Sequence, residues 1–149
     1  MRHLKPFALI FAAVALFGFQ KTDPWRPADL IDPATAAAKL KAKPADQPLL
    51  LQVGFQALYK STRIPGSKYA GPGSTTEGIA NLEEQVKGVA HDRAILIYCG
   101  CCPMEKCPNI RPAFAKLHEM GFTNVQVLKI PTNMHTDWDV PGYPLEKGS

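Results

Sequence analysis

Five consecutive apolar residues, Ala94-Ile95-Leu96-Ile97-Tyr98, run without a break into the segment that holds all four cysteines of the chain, Cys99, Cys101, Cys102 and Cys107. A short, continuous apolar run of this kind reads as a strand buried on both faces, the kind found in parallel sheets whose strands are joined through helices. The rest of the chain supplies that alternation. Leu49 to Val53 reads as a second buried strand closed by Gly54, and Val125 to Ile130 as a last one. Asp32-Pro33 is an N-cap with proline at the first helical position, opening a helix through Ala34 to Lys43 that Pro44 ends. Ile79, Leu82, Val86 and Val89 fall at helical spacing, with Glu83, Glu84 and Lys87 on the other face. Asn109 reads as the N-cap of a further helix to about Met120, with Ala113, Phe114, Leu117 and Met120 as its apolar stripe and Gly121 as its stop. Arg63 to Gly78, rich in Pro, Gly, Ser and Thr, reads as a long loop. The expected fold class is α/β, a three-layer domain with a central, mainly parallel sheet and helices on both faces. Ligands of such sheets gather at the carboxyl ends of the strands, and Cys99 stands at one.

The first twenty residues follow a different logic. Arg2 and Lys5 precede a thirteen-residue run from Phe7 to Phe19 without a charge. This is a signal-peptide pattern, too short for the roughly 20 residues that span a bilayer. Residues 1–20 are therefore expected to be removed, with the mature start between Leu16 and Lys21, 21–31 a linker and 32–149 one domain. The expected location is periplasmic or extracellular; a short uncleaved anchor is the alternative. The formal charge of +4 includes Arg2 and Lys5, and the remaining basic residues are scattered, so no nucleic-acid partner is expected.

In an oxidising compartment cysteines usually staple distant parts of a chain. Four cysteines within nine residues close only tiny loops, which stabilise little by chain entropy, so local chemistry explains them better. A thiol at a strand tip facing a helix N-terminus meets free backbone N–H groups and the positive end of the dipole, and both favour thiolate. Cys99 is the candidate nucleophile. The backbone from Gly100 to Pro108 is the candidate anion cradle, and Lys106 and Arg111 are candidates for binding an anionic donor. Three readings follow. Cys99 takes up sulfane sulfur, and Cys101, Cys102 or Cys107 resolves the persulfide as a disulfide. Alternatively the thiolates surround a soft metal, although Cys-x-Cys-Cys-x4-Cys lacks the Cys-x2-Cys pairs usual for structural zinc. In the third, a loop disulfide leaves a binding module without turnover. No metal and no cofactor is assigned. His91, His118 and His135 have no partner at ligand spacing. His135 follows the last strand at the cysteine end of the sheet, but a polar loop capping a short helix, with Trp138 in the core, explains it better.

Four segments stand in the order of a rhodanese-like sulfurtransferase domain, which the chain resembles over about residues 32–146. They are the strand Leu49–Val53; Arg63-Ile64-Pro65-Gly66-Ser67, similar to the family's His-Ile-Pro-Gly-Ala turn; Ile97-Tyr98-Cys99; and Trp138 followed by Gly142-Tyr143-Pro144-Leu145-Glu146, similar to the family's Trp and Gly-Leu-Pro-Val-Glu. Leu117 to Val125 likewise resembles the family's passage from helix to strand. The resemblance implies that Cys99 accepts sulfur from a small sulfur-anion donor, thiosulfate or a persulfide, and passes it to a thiol or protein acceptor. The sequence departs from the family at two places. Gln52-Val53-Gly54 replaces the usual Asp-Val-Arg, and the loop from Cys99 to Pro108 is longer and lacks a terminal arginine. Phosphatases of this fold carry an arginine where this chain has Glu105.

Overall fold

The structure, a computed structural model, describes residues 23–148, so the signal-peptide expectation for residues 1–20 lies outside the described residues. Five strands form one parallel sheet: β1 (Leu30–Ile31), β2 (Leu49–Gln52), β4 (Lys68–Tyr69), β5 (Ile95–Tyr98) and β6 (Val125–Leu128), in the order β1-β6-β5-β2-β4. Two short strands, β3 (Thr62–Arg63) and β7 (Glu146–Lys147), pair antiparallel beside it. The helices are α1 (Pro33–Lys39), α2 (Gln56–Ser61), α3 (Thr76–Gln85) and α4 (Ile110–Glu119). This is the three-layer α/β arrangement expected. No helix among the described residues is long and apolar enough to cross a membrane.

The period of two along β5 sorts its side chains into two cores. Ile95 and Ile97, with Val125 and Val127 of β6, pack against Leu82 and Val86 from the α3 side and Ile110, Ala113, Phe114 and Leu117 of α4. Leu96 and Tyr98, with Ile31, Leu50 and Leu128, pack against Ala36 and Ala37 of α1 and Trp138. Cys99 continues the odd-numbered series and so belongs to the α4 side. On the other side Trp138 is fully buried, as expected, and its Nε1 donates to the Pro144 carbonyl at 2.9 Å. The buried Tyr98 hydroxyl donates to Ser67 Oγ at 3.0 Å and accepts from the Ile64 N–H at 3.2 Å, which ties the Ile64–Ser67 turn to the end of β5. Burial pushes the pKa of Tyr98 up to about 12. Arg63, on β3, pairs with Glu146 on β7.

Several boundaries move. The segment read as a linker at 21–31 is part of the domain from Trp25 onward. Trp25 is 8% exposed and meets Phe114 edge-on with ring centres 5.8 Å apart, and Leu30–Ile31 adds an edge strand. Its two prolines hid apolar residues too few to show a period. Helix α1 stops at Lys39, before Pro44, which instead opens a single 3-10 turn. The loop read at 63–78 contains β4 and the start of α3, where Thr75 Oγ1 caps the helix by accepting from the Gly78 N–H at 3.0 Å. Helix α2 was not anticipated, because it buries no residue and therefore shows no apolar stripe. Strand β6 ends at Leu128, and the Ile130 carbonyl instead accepts from the Met104 N–H at 3.1 Å, pinning the cysteine loop to the strand's continuation.

Candidate functional site

Immediately after Cys99 the chain must turn, and Gly100 does so at φ +74°. A Cβ at Gly100 would lie 2.1 Å from Met134 Cγ, so both the backbone and the packing require glycine. The loop then runs through Cys101 and Cys102, makes a 3-10 turn at Met104–Lys106 and reaches Cys107 three residues before α4. This path folds the four thiols back on one another. Cys99 Sγ donates to Cys101 Sγ at 3.1 Å, and Cys101 Sγ lies 3.2 Å from Cys102 Sγ. The sulfurs of Cys99, Cys101 and Cys107 all lie within 4.8 Å of one another. Cys99 and Cys107 are buried, whereas Cys101 and Cys102 are half-buried.

Asn109 occupies the N-cap position of α4 but makes no side-chain cap. Its side chain is fully buried and points across the site. Oδ1 accepts from the Ser74 hydroxyl at 2.7 Å and the Ser74 N–H at 3.2 Å, which fixes the amide so that Nδ2 donates to Cys99 Sγ at 3.5 Å. The loop can come this close because Gly73 has no side chain: a Cβ there would lie 2.2 Å from the Asn109 carbonyl. Sequence reading took Asn109 for a cap and missed this contact. Its partner, Ser74, is distant in sequence and lies in a segment that reads only as loop.

The Gln52-Val53-Gly54 departure also lies against Cys99. Gln52 is buried; its Nε2 donates to the Cys99 carbonyl at 3.4 Å, and its Oε1 has no protein partner. A Cβ at Gly54 would lie 2.6 Å from Gln52 Nε2 and 3.0 Å from Cys99 Sγ. There is no space at position 54 for the family's arginine.

The neighbouring Cys99 thiol, and then the backbone N–H groups of Asn109 and Ile110 at the start of α4, pull the pKa of Cys107 down. Cys99 is pushed up, first by the Cys107 sulfur near it and then by burial. Burial also pushes Cys102 up to about 12. The N–H groups at the start of α4 thus favour an anion on Cys107, and it is the Asn109 side chain that reaches Cys99.

Around Cys99 lies a cavity of about 10 Å³, lined by Cys99, Gly100, Cys102, Met104 and Cys107 on the loop side and by the hydrocarbon of Ile110, Leu128 and Ile130. That is space for roughly one water-sized atom. Neither basic candidate faces it. Arg111 Nε donates to Asp23 Oδ1 at 2.7 Å, its Nη1 donates to the Met104 carbonyl at 3.1 Å and the Cys107 carbonyl at 3.4 Å, and its guanidinium lies 5.1 Å from the Trp25 ring centre. Its work is to clamp the loop. Lys106 is exposed on the 3-10 turn and, with Arg111, lines a groove outside the cavity. His135 is exposed and paired with Asp139 at 2.9 Å, and it is the neighbouring Met134 that packs on the site.

No protein-family model matches the chain, and no curated protein does. Solved structures are similar. The Alr3790 protein of Anabaena sp. is 21% identical, covers 79% of this chain and 92% of its own, and superposes with a TM-score of 0.60. The BH2092 protein of Bacillus halodurans is also 21% identical, over 78% of this chain and 75% of its own, with a TM-score of 0.60. The rhodanese-like domain of Alr3790, solved in solution, is 19% identical over 80% of this chain and 79% of its own, with a TM-score of 0.56. The fold is rhodanese-like. A cysteine-persulfide form of EanB, in a tetrahedral intermediate state with ergothioneine, is 20% identical over 83% of this chain, which spans 33% of EanB, with a TM-score of 0.54. In this rhodanese-like chain, the end of β5 opens into a cluster of four cysteines.

Proposed function

We propose that this rhodanese-like chain is a sulfurtransferase that carries sulfane sulfur as a persulfide on Cys99. The observation that carries this reading is the cavity: a buried thiol at a strand's carboxyl end faces a space for about one atom, walled by other thiols and hydrocarbon. Such a space suits a single sulfur and excludes a bulky substrate. EanB, a similar fold that holds a cysteine persulfide, supports the reading.

The steps balance without an added oxidant. Cys99 passes its proton to Cys107, and the resulting thiolate attacks the terminal sulfur of the donor. With thiosulfate, the S–S bond breaks, sulfite leaves with its electron pair, and a Cys99 persulfide anion remains. The Asn109 amide, anchored by Ser74, donates to the sulfur throughout. An acceptor thiolate then attacks the outer sulfur and carries it away, returning Cys99 as thiolate. Cys101 stands in reach of the persulfide. Attack of the Cys101 sulfur on the inner sulfur, its thiol proton passing to the outer one, expels hydrosulfide and closes a Cys99–Cys101 disulfide, which an external dithiol must reduce. We place this chemistry outside the cytosol because of the signal-peptide pattern at residues 1–20; the mass of the mature N-terminus from a membrane-enclosed compartment tests that placement.

Turnover is tested by mixing the reduced protein with thiosulfate or inorganic polysulfide and a thiol acceptor. Release of sulfite or transfer of sulfur to the acceptor is expected, and Cys99→Ser abolishes it. Equal turnover by Cys99→Ser, or none by the wild-type protein with either donor, overturns the proposal.

A further inference from the structure

The three thiols that sulfur transfer uses in turn also converge in space. Cys99, Cys101 and Cys107 have Sγ atoms mutually within 4.8 Å. Metal–thiolate bonds of about 2.3 Å set the sulfurs of a trigonal site about 4 Å apart. The triangle is therefore near the size a single ion needs, and the 3.1 Å Cys99–Cys101 pair must open, across Gly100.

The lining decides which ion. Among the described residues, Cys99, Cys102 and Cys107 line the cavity, with Met104 the one further lining side chain that carries a donor atom, and Cys101 adjoins the cavity through Cys99; no carboxylate, imidazole or hydroxyl of the described residues lines it. Hard cations lack oxygen ligands there, and for tetrahedral zinc the fourth thiolate would have to come from Cys102, which stands beside Cys101 but outside the triangle. Thiolate and thioether surroundings select a soft ion of low charge. We propose that Cys99, Cys101 and Cys107 form a three-thiolate site for one Cu(I) ion, with Met104 as a neighbouring soft donor. Binding exchanges thiol protons for the metal and changes no oxidation state. It goes beyond sulfur transfer and competes with it, because an ion on Cys99 removes the nucleophile.

The full chain, reduced and oxygen-free, is titrated with Cu(I) against the chelator bathocuproine disulfonate. One equivalent is expected to stay with the protein, with X-ray absorption showing an all-sulfur shell. Cys101→Ser and Cys107→Ser are each expected to weaken retention by more than the roughly 10–100-fold of an outer-shell change. Zn(II) at equal concentration is not expected to displace the ion. Stripping of the wild-type protein as readily as of the variants, or a shell with oxygen or nitrogen donors, overturns the inference. The absorption spectrum of the wild type decides the matter even where a variant fails to fold. Sulfur loading is followed separately on metal-free protein. A chain that binds Cu(I) but never gains sulfur keeps this site and loses the sulfurtransferase reading, and the opposite result does the reverse.

Discussion

Tyr98 and Cys99 are neighbours in sequence and opposites in surroundings. Tyr98 points into a core where polar groups are paired: its hydroxyl to Ile64 and Ser67, and the Trp138 indole to Pro144. Cys99 points into a region of thiols sharing protons, a buried Gln52 oxygen without a protein partner, and glycines at 54, 73 and 100 where a side chain would collide. One side of the strand end is therefore a scaffold in which hydrogen bonds close. The other keeps groups close together and incompletely satisfied, the condition under which protons and sulfur can move.

The contrast is broken most forcefully from the scaffold side. Trp138→Ala removes a fully buried indole and is expected to cost about 3–5 kcal/mol, read as a lowered denaturation midpoint. Cysteine alkylation of the protein that remains folded should be unchanged. On the chemical side, Gly100→Ala forces a side chain into a positive-φ position and against Met134. It is expected to cost about 1–3 kcal/mol and to impair sulfur loading, and Met134→Ala added to it should recover part of the stability. Asn109→Ala leaves Ser74 without its acceptor and is expected to cost about 1–2 kcal/mol while slowing persulfide formation. Asn109→Asp sharpens the test. It keeps an acceptor for Ser74 but turns a second oxygen toward Cys99, so stability should be largely retained while sulfur loading is lost. Tyr98→Phe is expected to cost about 1 kcal/mol and leave loading unaffected. The smallest effect belongs to Lys106→Ala: within about ±0.5 kcal/mol, with loading from polysulfide at the wild-type rate, because Lys106 lies outside the cavity.

The scaffold side was the more legible in sequence. The run 94–98, the Ile64-Pro65-Gly66 turn and Trp138 identified the central strand and the segments packed on it, because burial on both faces leaves an unbroken apolar run. Helices α3 and α4 showed their stripes for the same reason. Trp25 and Leu30–Ile31 were hidden, since an edge strand of two residues has no period, and α2 buries nothing. The cysteine cluster was legible as a location but not as an arrangement. Which sulfur meets the start of α4 depends on the path of the loop, and that depends on Gly100, on Arg111 clamping the carbonyls of Met104 and Cys107, and on the Met104–Ile130 bond. The role of Asn109 requires Ser74, thirty-five residues away, and no local pattern reports such a pairing.

The sulfur-carrier role of Cys99 is tested most directly by the mass of the peptide spanning Cys99 to Cys107, from metal-free reduced protein before and after exposure to inorganic polysulfide. One additional sulfur on Cys99, absent from Cys99→Ser and removed by a thiol acceptor, is the expected result. A wild-type peptide that stays unmodified, or gains sulfur equally well without Cys99, contradicts it.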